Sequence, residues 1–285
     1  MLYSAEISVA NPACVLLLVD QSRAMAKALS PSLKRSDAAA DAANRQILNL
    51  ILACVKSEGS PRGWFDIGLL GYSSDTRGTP VVRSLWSGGL AGRDLVSVTD
   101  VSKNPCEILR CVRMEDDGAG GLIKVGFRKP IWAQPEALYG APLSAALDRC
   151  GEILEEWIFT HPRSHPPFVV HFTAGEPDDN ARDTARMLRG LATEDGNVVL
   201  FHSCFSGSEG ATLFPISVDE LREERGQRVL FETASPLPTQ LLEDADRIGW
   251  HVRRGSRAFV DNADLGNLSR LFRLGTSPPR SSGLR

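Results

Sequence analysis

The sequence is short of the features that announce most function classes. Basic residues are not in excess: 32 Lys and Arg stand against 35 Asp and Glu, a net charge of −3. That balance gives no ground for nucleic-acid binding, which needs a basic face against the phosphates. No apolar run approaches the roughly 20 residues of a bilayer-crossing helix, so no membrane span is expected. The first residues carry no basic stretch followed by an apolar core and do not read as a signal peptide. A cytoplasmic protein is therefore the expectation.

Catalytic punctuation is missing too. There is no Gly-x-x-x-x-Gly-Lys-Ser/Thr loop, and no Gly-x-Gly-x-x-Gly at a strand–helix junction. There is no Gly-x-Ser-x-Gly elbow. The glycines of residues 118–121 fall in a turn between short strands, the wrong setting for a phosphate. A hydrolase or nuclease would need Asp20 with Asp178 or Asp179, acids on separate loops that chance alone would supply. The chain is expected not to be an enzyme. None of the six cysteines pair as Cys-x-x-Cys. Cys14, Cys54, Cys150 and Cys204 sit in or beside apolar stretches, where a free cysteine acts as a small hydrophobe. Cys106 and Cys111 are the close pair, but no Cys/His partners at metal-ligand spacing accompany them.

What remains is a globular pattern. At 285 residues and 42% hydrophobic, the chain can bury a core for one large domain with an insertion. Residues 15–19 (VLLLV) are continuously apolar, as suits a central parallel strand buried on both faces. Residues 36–55 have helical periodicity, and residues 65–72 read as a second strand. Gly, Pro and Ser then rise over about 73–135, a β-rich excursion expected to form hairpins at one edge. Alternation resumes with a helix over 142–159, a strand over 168–172 and a helix over 179–191. A strand over 197–205, a short element at 228–231 and a helix over 237–248 follow. A strand over 256–260 and a helix over 265–274 close the pattern, before a Ser/Pro/Gly/Arg tail over 276–285 expected to be disordered. The fold class expected is α/β: a doubly wound, mostly parallel Rossmann-like sheet with helices on both faces and a β-rich insertion. Binding loops in such a sheet lie at the carboxyl ends of the strands.

Three segments on that edge carry the functional reading. The first is Val19-Asp20-Gln21-Ser22-Arg23-Ala24, the second Tyr139-Gly140-Ala141-Pro142, and the third Phe172-Thr173-Ala174-Gly175-Glu176-Pro177-Asp178. Together they resemble the three metal-site loops of a von Willebrand factor A domain. The resemblance covers roughly residues 7–275. Asn11-Pro12-Ala13-Cys14, Trp157-Ile158 with His161-Pro162, and Leu274-Gly275-Thr276 are similar to a bacterial intracellular subfamily found in tellurite-resistance-type and phage-defence-type gene clusters.

In that family the first loop reads Asp-x-Ser-x-Ser, the second carries a Thr and the third an Asp before a Gly, and together they surround a Mg²⁺. Here Asp20 and Ser22 are in place, whereas Ala24, Ala141 and Ala174 occupy the other ligand positions. A methyl group cannot coordinate a cation, and a hard cation wants about six oxygens. The resemblance thus implies a domain with no functional metal and no cofactor, leaving at most weak Mg²⁺ held by Asp20 and Ser22. The alanines fit natural divergence or substitution alike; Arg23, which brings a cation beside the vacated position, favours divergence. The implied function is a non-enzymatic protein-interaction module in a signalling, stress or defence complex. Its partner would be a protein, with a Ser/Thr kinase, a PP2C-type phosphatase or an AAA+ ATPase as the classes implied. The expected contact surface is Asp20, Ser22, Arg23, Tyr139, Glu176 and Asp178. The alternative keeps a weak metal site, completed by a partner carboxylate. His171 and His202, each inside an apolar strand, are expected to be satisfied core residues, and Thr173 is expected to point away from the face of Ala174.

Overall fold

The apolar run at residues 15–19 is the middle of a strand with no exposed residue, and the rest of the architecture is built outward from it. The computed structural model describes residues 3–262 apart from 56–58, 117, 119–120, 208, 222–224, 248–249 and 251. In chain order the main elements are β1 (Ala13–Asp20), α1 (Arg35–Ala53), β2 (Phe65–Ser74), β3 (Pro80–Ser84), β4 (Val96–Ser97), α2 (Val98–Lys103), β5 (Glu107–Asp116) and β6 (Leu122–Ile131). Then come α3 (Leu143–Thr160), β7 (Phe168–Thr173), α4 (Arg182–Gly190), β8 (Val199–Cys204), β9 (Thr212–Leu213), α5 (Arg225–Thr233), α6 (Thr239–Arg247) and β10 (Phe259–Asp261).

The eight-stranded main sheet runs β9-β10-β8-β7-β1-β2-β3, with β4 also paired to β2. The pairs β1–β2, β1–β7, β7–β8 and β8–β10 are parallel, and the edges are antiparallel. Among the parallel strands the order is second, first, third, fourth, fifth, which is a doubly wound sheet whose direction of growth reverses between β1 and β7. Alternate side chains of each strand serve opposite faces. Val15, Leu17, Val19, Val170 and Phe172 pack with Ala39, Ala43 and Ile47 of α1 and Leu241 of α6. Leu16, Leu18, Val169 and Leu200 pack with Leu147 and Leu154 of α3, Leu188 of α4 and Leu230 of α5. Helices therefore cover both faces, as a sheet of continuously apolar strands demands. No helix among the described residues is long and apolar enough to cross a membrane.

Several sequence expectations shift in detail. The short element at 228–231 is part of α5: Val229, Leu230 and Thr233 are buried at helical spacing, a periodicity four residues cannot display. The last strand is β10, three residues long. The predicted helix over 265–274 and the tail over 276–285 lie outside the described residues. The insertion divides in two. β3 and β4 join the main sheet, while β5 and β6 form a hairpin that among the described residues pairs only with itself. Asn44 of α1 ties down the chain after the hairpin. Its Oδ1 accepts from the backbone N–H groups of Trp132 (2.8 Å) and Ala133 (2.9 Å), and its Nδ2 donates to the Ala133 carbonyl (2.8 Å). Trp86 and Trp132 are core residues, and Cys106 and Cys111 are both free thiols.

Candidate functional site

The strand order reverses between β1 and β7, and the carboxyl ends of those two strands carry Asp20 and Thr173. A crevice at that reversal is where open α/β sheets bind ligands. Here a cleft of about 1180 Å³ opens above it, lined by Ser22, Arg23, Tyr139, Glu176 and Asp178 among others. Five of the six expected contact residues thus share one cavity. Ser74 and Asp75 from the end of β2, Arg182 of α4, and Gly226 and Arg228 of α5 also line it. Sequence reading missed these five. Ser74 and Asp75 were within reach of it, since they end a strand on the same edge, but nothing local marks the start of α5 as a cleft wall.

The floor is held by bonds that use up the first-loop carboxylate. Asp20 is 1% exposed. Its Oδ1 accepts from the Ser22 N–H at 2.8 Å, and its Oδ2 from the Thr173 hydroxyl at 2.7 Å and the Ala174 N–H at 3.3 Å. Burial pushes its pKa above the ordinary carboxylate value, and these bonds offset that only in part. Thr173 is thus the side chain of the third segment that reaches Asp20: it follows the Val19–Phe172 pair as the last residue of β7, so strand alternation sets it on the Asp20 face and opposite to Ala174. The Thr173 Oγ1 also accepts from the Gly175 N–H at 3.0 Å, which fixes the turn made by Gly175 at φ +86°.

The loops are stitched to one another. Leu138 N–H donates to the Gln21 carbonyl and Arg23 N–H to the Tyr139 carbonyl, both at 2.7 Å. Asp178 binds the second loop reciprocally: its N–H donates to the Ala141 carbonyl at 3.1 Å and its Oδ2 accepts from the Ala141 N–H at 2.6 Å. A Cβ on Gly140 would meet that same Oδ2 at 2.5 Å and the Ser74 Oγ at 2.8 Å, so a larger residue there would have to displace both side chains. Asp179 Oδ2 accepts from the Ser144 N–H at 3.0 Å in the first turn of α3, where a carboxylate also complements the helix dipole. The acid pair at 178–179 is therefore bonded to the second loop and to a helix start.

Charge in the cleft is mostly spoken for. Glu176 accepts from Lys27 at 2.8 Å and from Arg35 at 2.9 Å. Partial burial works to raise its pKa, but those two cations outweigh it and hold the group below the usual value. Arg182 and Arg228 both pair with Glu232. Arg23 is exposed and forms no ion pair among the described residues. Tyr139 is half-exposed on the rim.

As a cation site the geometry fits poorly. Both oxygens of Asp20 are engaged by the protein, and one oxygen each of Asp178 and Asp179 is engaged by a backbone N–H. Ala141 and Ala174 present buried methyl groups at the other positions. Among the described residues, no group of three or more His, Cys, Asp or Glu is arranged to hold a metal. At this site Ser22 Oγ, beside Asp20, and Asp179 Oδ1 are buried with no hydrogen-bond partner among the described residues.

The sequence matches no protein-family model and no curated protein. Among solved structures, the crystal structure of manganese-loaded Plasmodium vivax TRAP protein is similar to this chain at 12% identity and a TM-score of 0.41, over 93% of this chain and 74% of that one. At that level the likeness adds nothing to the topology, which rests on the strand order itself.

Proposed function

We propose that the chain is a von Willebrand factor A-like protein-interaction module that binds its partner through the cleft without a metal and performs no chemistry there. The observation that carries this reading is the commitment of Asp20: a carboxylate that accepts three internal hydrogen bonds has little left to offer a cation, and the alanines around it offer nothing. What the cleft does offer outward is the exposed guanidinium of Arg23, which forms no ion pair among the described residues, the aromatic rim of Tyr139, and the Lys27–Glu176 pair. Arg side chains present a planar fork that matches carboxylates, so an acidic group of a partner protein is the natural occupant. The setting expected from the family resemblance, a bacterial stress or defence complex with a kinase, phosphatase or ATPase, belongs to the same proposal.

The reading is tested by titrating the full chain with Mg²⁺ and Mn²⁺ in a calorimeter, with thermal melts alongside. Anything that binds only the folded state raises its melting temperature once its concentration passes the dissociation constant. No heat and no shift is the expected result up to about 10 mM, a generous ceiling for a site meant to hold metal in a cell. Stabilisation that disappears in D20A would sink the proposal. It would restore the alternative, a weak Mg²⁺ site, which the unpartnered Ser22 Oγ and Asp179 Oδ1 favour. Once a partner is in hand, R23E should weaken its capture at least tenfold, and EDTA should not.

A further inference from the structure

The β5–β6 hairpin is built unlike the rest of the molecule. Among the described residues it pairs with no strand of the main sheet, and the outer edge of β5 bonds to no other strand. Directly paired residues of the two strands share a face. One face carries Ile108, Arg110, Val112 and Met114 from β5, opposite Pro130, Arg128, Gly126 and Lys124 of β6. The aliphatic members are solvated: Val112 is 64% exposed and Leu122, near the turn, 67%. An exposed apolar edge is a liability that folded proteins ordinarily blunt or cover.

The charge on this face is just as unusual. Arg110 and Arg128 are direct cross-strand partners, a like-charge arrangement that costs stability in an isolated sheet. Lys124 adds a third cation. None of the three forms an ion pair among the described residues, although the hairpin's other cations do: Arg113 binds Glu115, and Lys129 binds Asp41 of α1. A protein of net charge −3 thus carries a cationic, apolar ribbon on its insertion.

We infer that the β5 edge of this hairpin docks an extended acidic segment of a partner protein by strand addition. An added strand would complete the outer hydrogen bonds of β5 and set a carboxylate beside Arg110. Its neighbours on that face would be apolar, against Ile108, Val112 and Met114. The recognised pattern is therefore apolar, acidic, apolar, apolar at every second residue. A second copy of this chain is a poorer occupant, because it would bring the same uncompensated arginines. A bilayer is poorer as well, because Asp116 sits beside Leu122 at the turn and would be buried with it. The surface is separate from the cleft, and the inference stands whether or not the cleft reading does.

The test uses the full chain and a fluorescein-labelled peptide of threonines alternating with Val, Glu, Val and Val. Anisotropy should show saturable binding that weakens at least tenfold when the peptide's Glu becomes Lys, or in R110E, and that recovers when R110E meets the Lys peptide. R110E lies on an exposed face opposite Arg128, and a melting temperature no lower than the parent's checks its fold. R23E should bind the peptide normally, which separates failure here from failure at the cleft. No binding at millimolar peptide, or equal binding of both peptides, overturns the inference. So does co-sedimentation with phosphatidylserine vesicles that is lost in V112S/M114S, or a dimer in sedimentation equilibrium abolished by V112S.

Discussion

Lowering the pH from 7 to 5 should cost this protein about 4 kcal/mol of folding stability through two histidines in its core. His171 of β7 and His202 of β8 are registered opposite each other and fully buried. They form a chain: Tyr72 Oη to His171 Nε2 at 2.8 Å, His171 Nδ1 to His202 Nδ1 at 2.8 Å, and His202 Nε2 to Thr233 Oγ1 at 3.0 Å. One proton fits between the facing Nδ1 atoms, so the two rings cannot both be protonated in the folded state. Protonating both would set N–H against N–H in a fully buried site. Burial accordingly drops the pKa of His171 to about 3, and burial together with the neighbouring His171 and Arg189 pushes that of His202 well below its ordinary value. The sign follows from proton uptake. Below pH 6.5 the unfolded chain protonates these rings and the folded chain does not, so stability falls as the pH falls. Each ring contributes about 2 kcal/mol over that interval. The carboxylates held low by their cations, Asp41, Glu176 and Glu232, act below that range, and Asp20, whose pKa is raised, acts with the opposite sign. Urea melts at pH 7, 6 and 5 measure the effect directly. His202→Gln keeps a donor and an acceptor but cannot titrate, and it should halve the loss. A stability that changes by less than about 1 kcal/mol between pH 7 and 5 would mean the pair is not held neutral.

That pair also marks where sequence reading stops. Each histidine sits in an apolar strand and reads as a satisfied core residue, and each is one. That they satisfy each other depends on β7 and β8 being neighbours in register, a fact of topology with no local trace. The same boundary runs through the candidate site. Asp20, Tyr139, Glu176 and Asp178 could be placed on one sheet edge because strand–helix alternation dictates which ends carry the loops. The roles of Thr173 and Asp178 could not, since the first depends on β1 and β7 being neighbours in register and the second on how the third loop closes on the second. Local periodicity recovered the long helices within a few residues, because a 19-residue helix such as α1 shows its buried stripe several times over. It failed for α5, whose nine residues show it barely twice. The hairpin was legible as β-structure but not as a separate sheet. Its alternation of apolar and charged residues is what an edge strand of the main sheet would also show, and only the pairing distinguishes the two.

Gly226→Ala should be among the most damaging single-methyl changes available near the site. Gly226 is the second residue of α5, and a Cβ there would overlap the carbonyl oxygen of Gly175 and crowd the Glu176 Cα at 3.3 Å. The obstacle is backbone, so no side-chain rotation relieves it. Either the third loop or the helix must move. The loop is the less able to do so: Gly175 is pinned by the Thr173 hydroxyl, Glu176 by Lys27 and Arg35, and Asp178 by the second loop. The helix is therefore expected to lift. It carries Leu230 into the core and Thr233 to the end of the histidine chain, so lifting it loosens both. Overpacking of this kind costs about 3 kcal/mol, which for a chain of this size corresponds to a fall in melting temperature of roughly 6–12 °C. Hydrogen exchange should speed up in α5 and in residues 173–178 together, while α1 and β1 keep their protection. A variant that melts within a degree or two of the parent, with α5 exchange unchanged, would show that the helix start and the third loop do not abut. The cleft would then have lost the wall that this contact gives it.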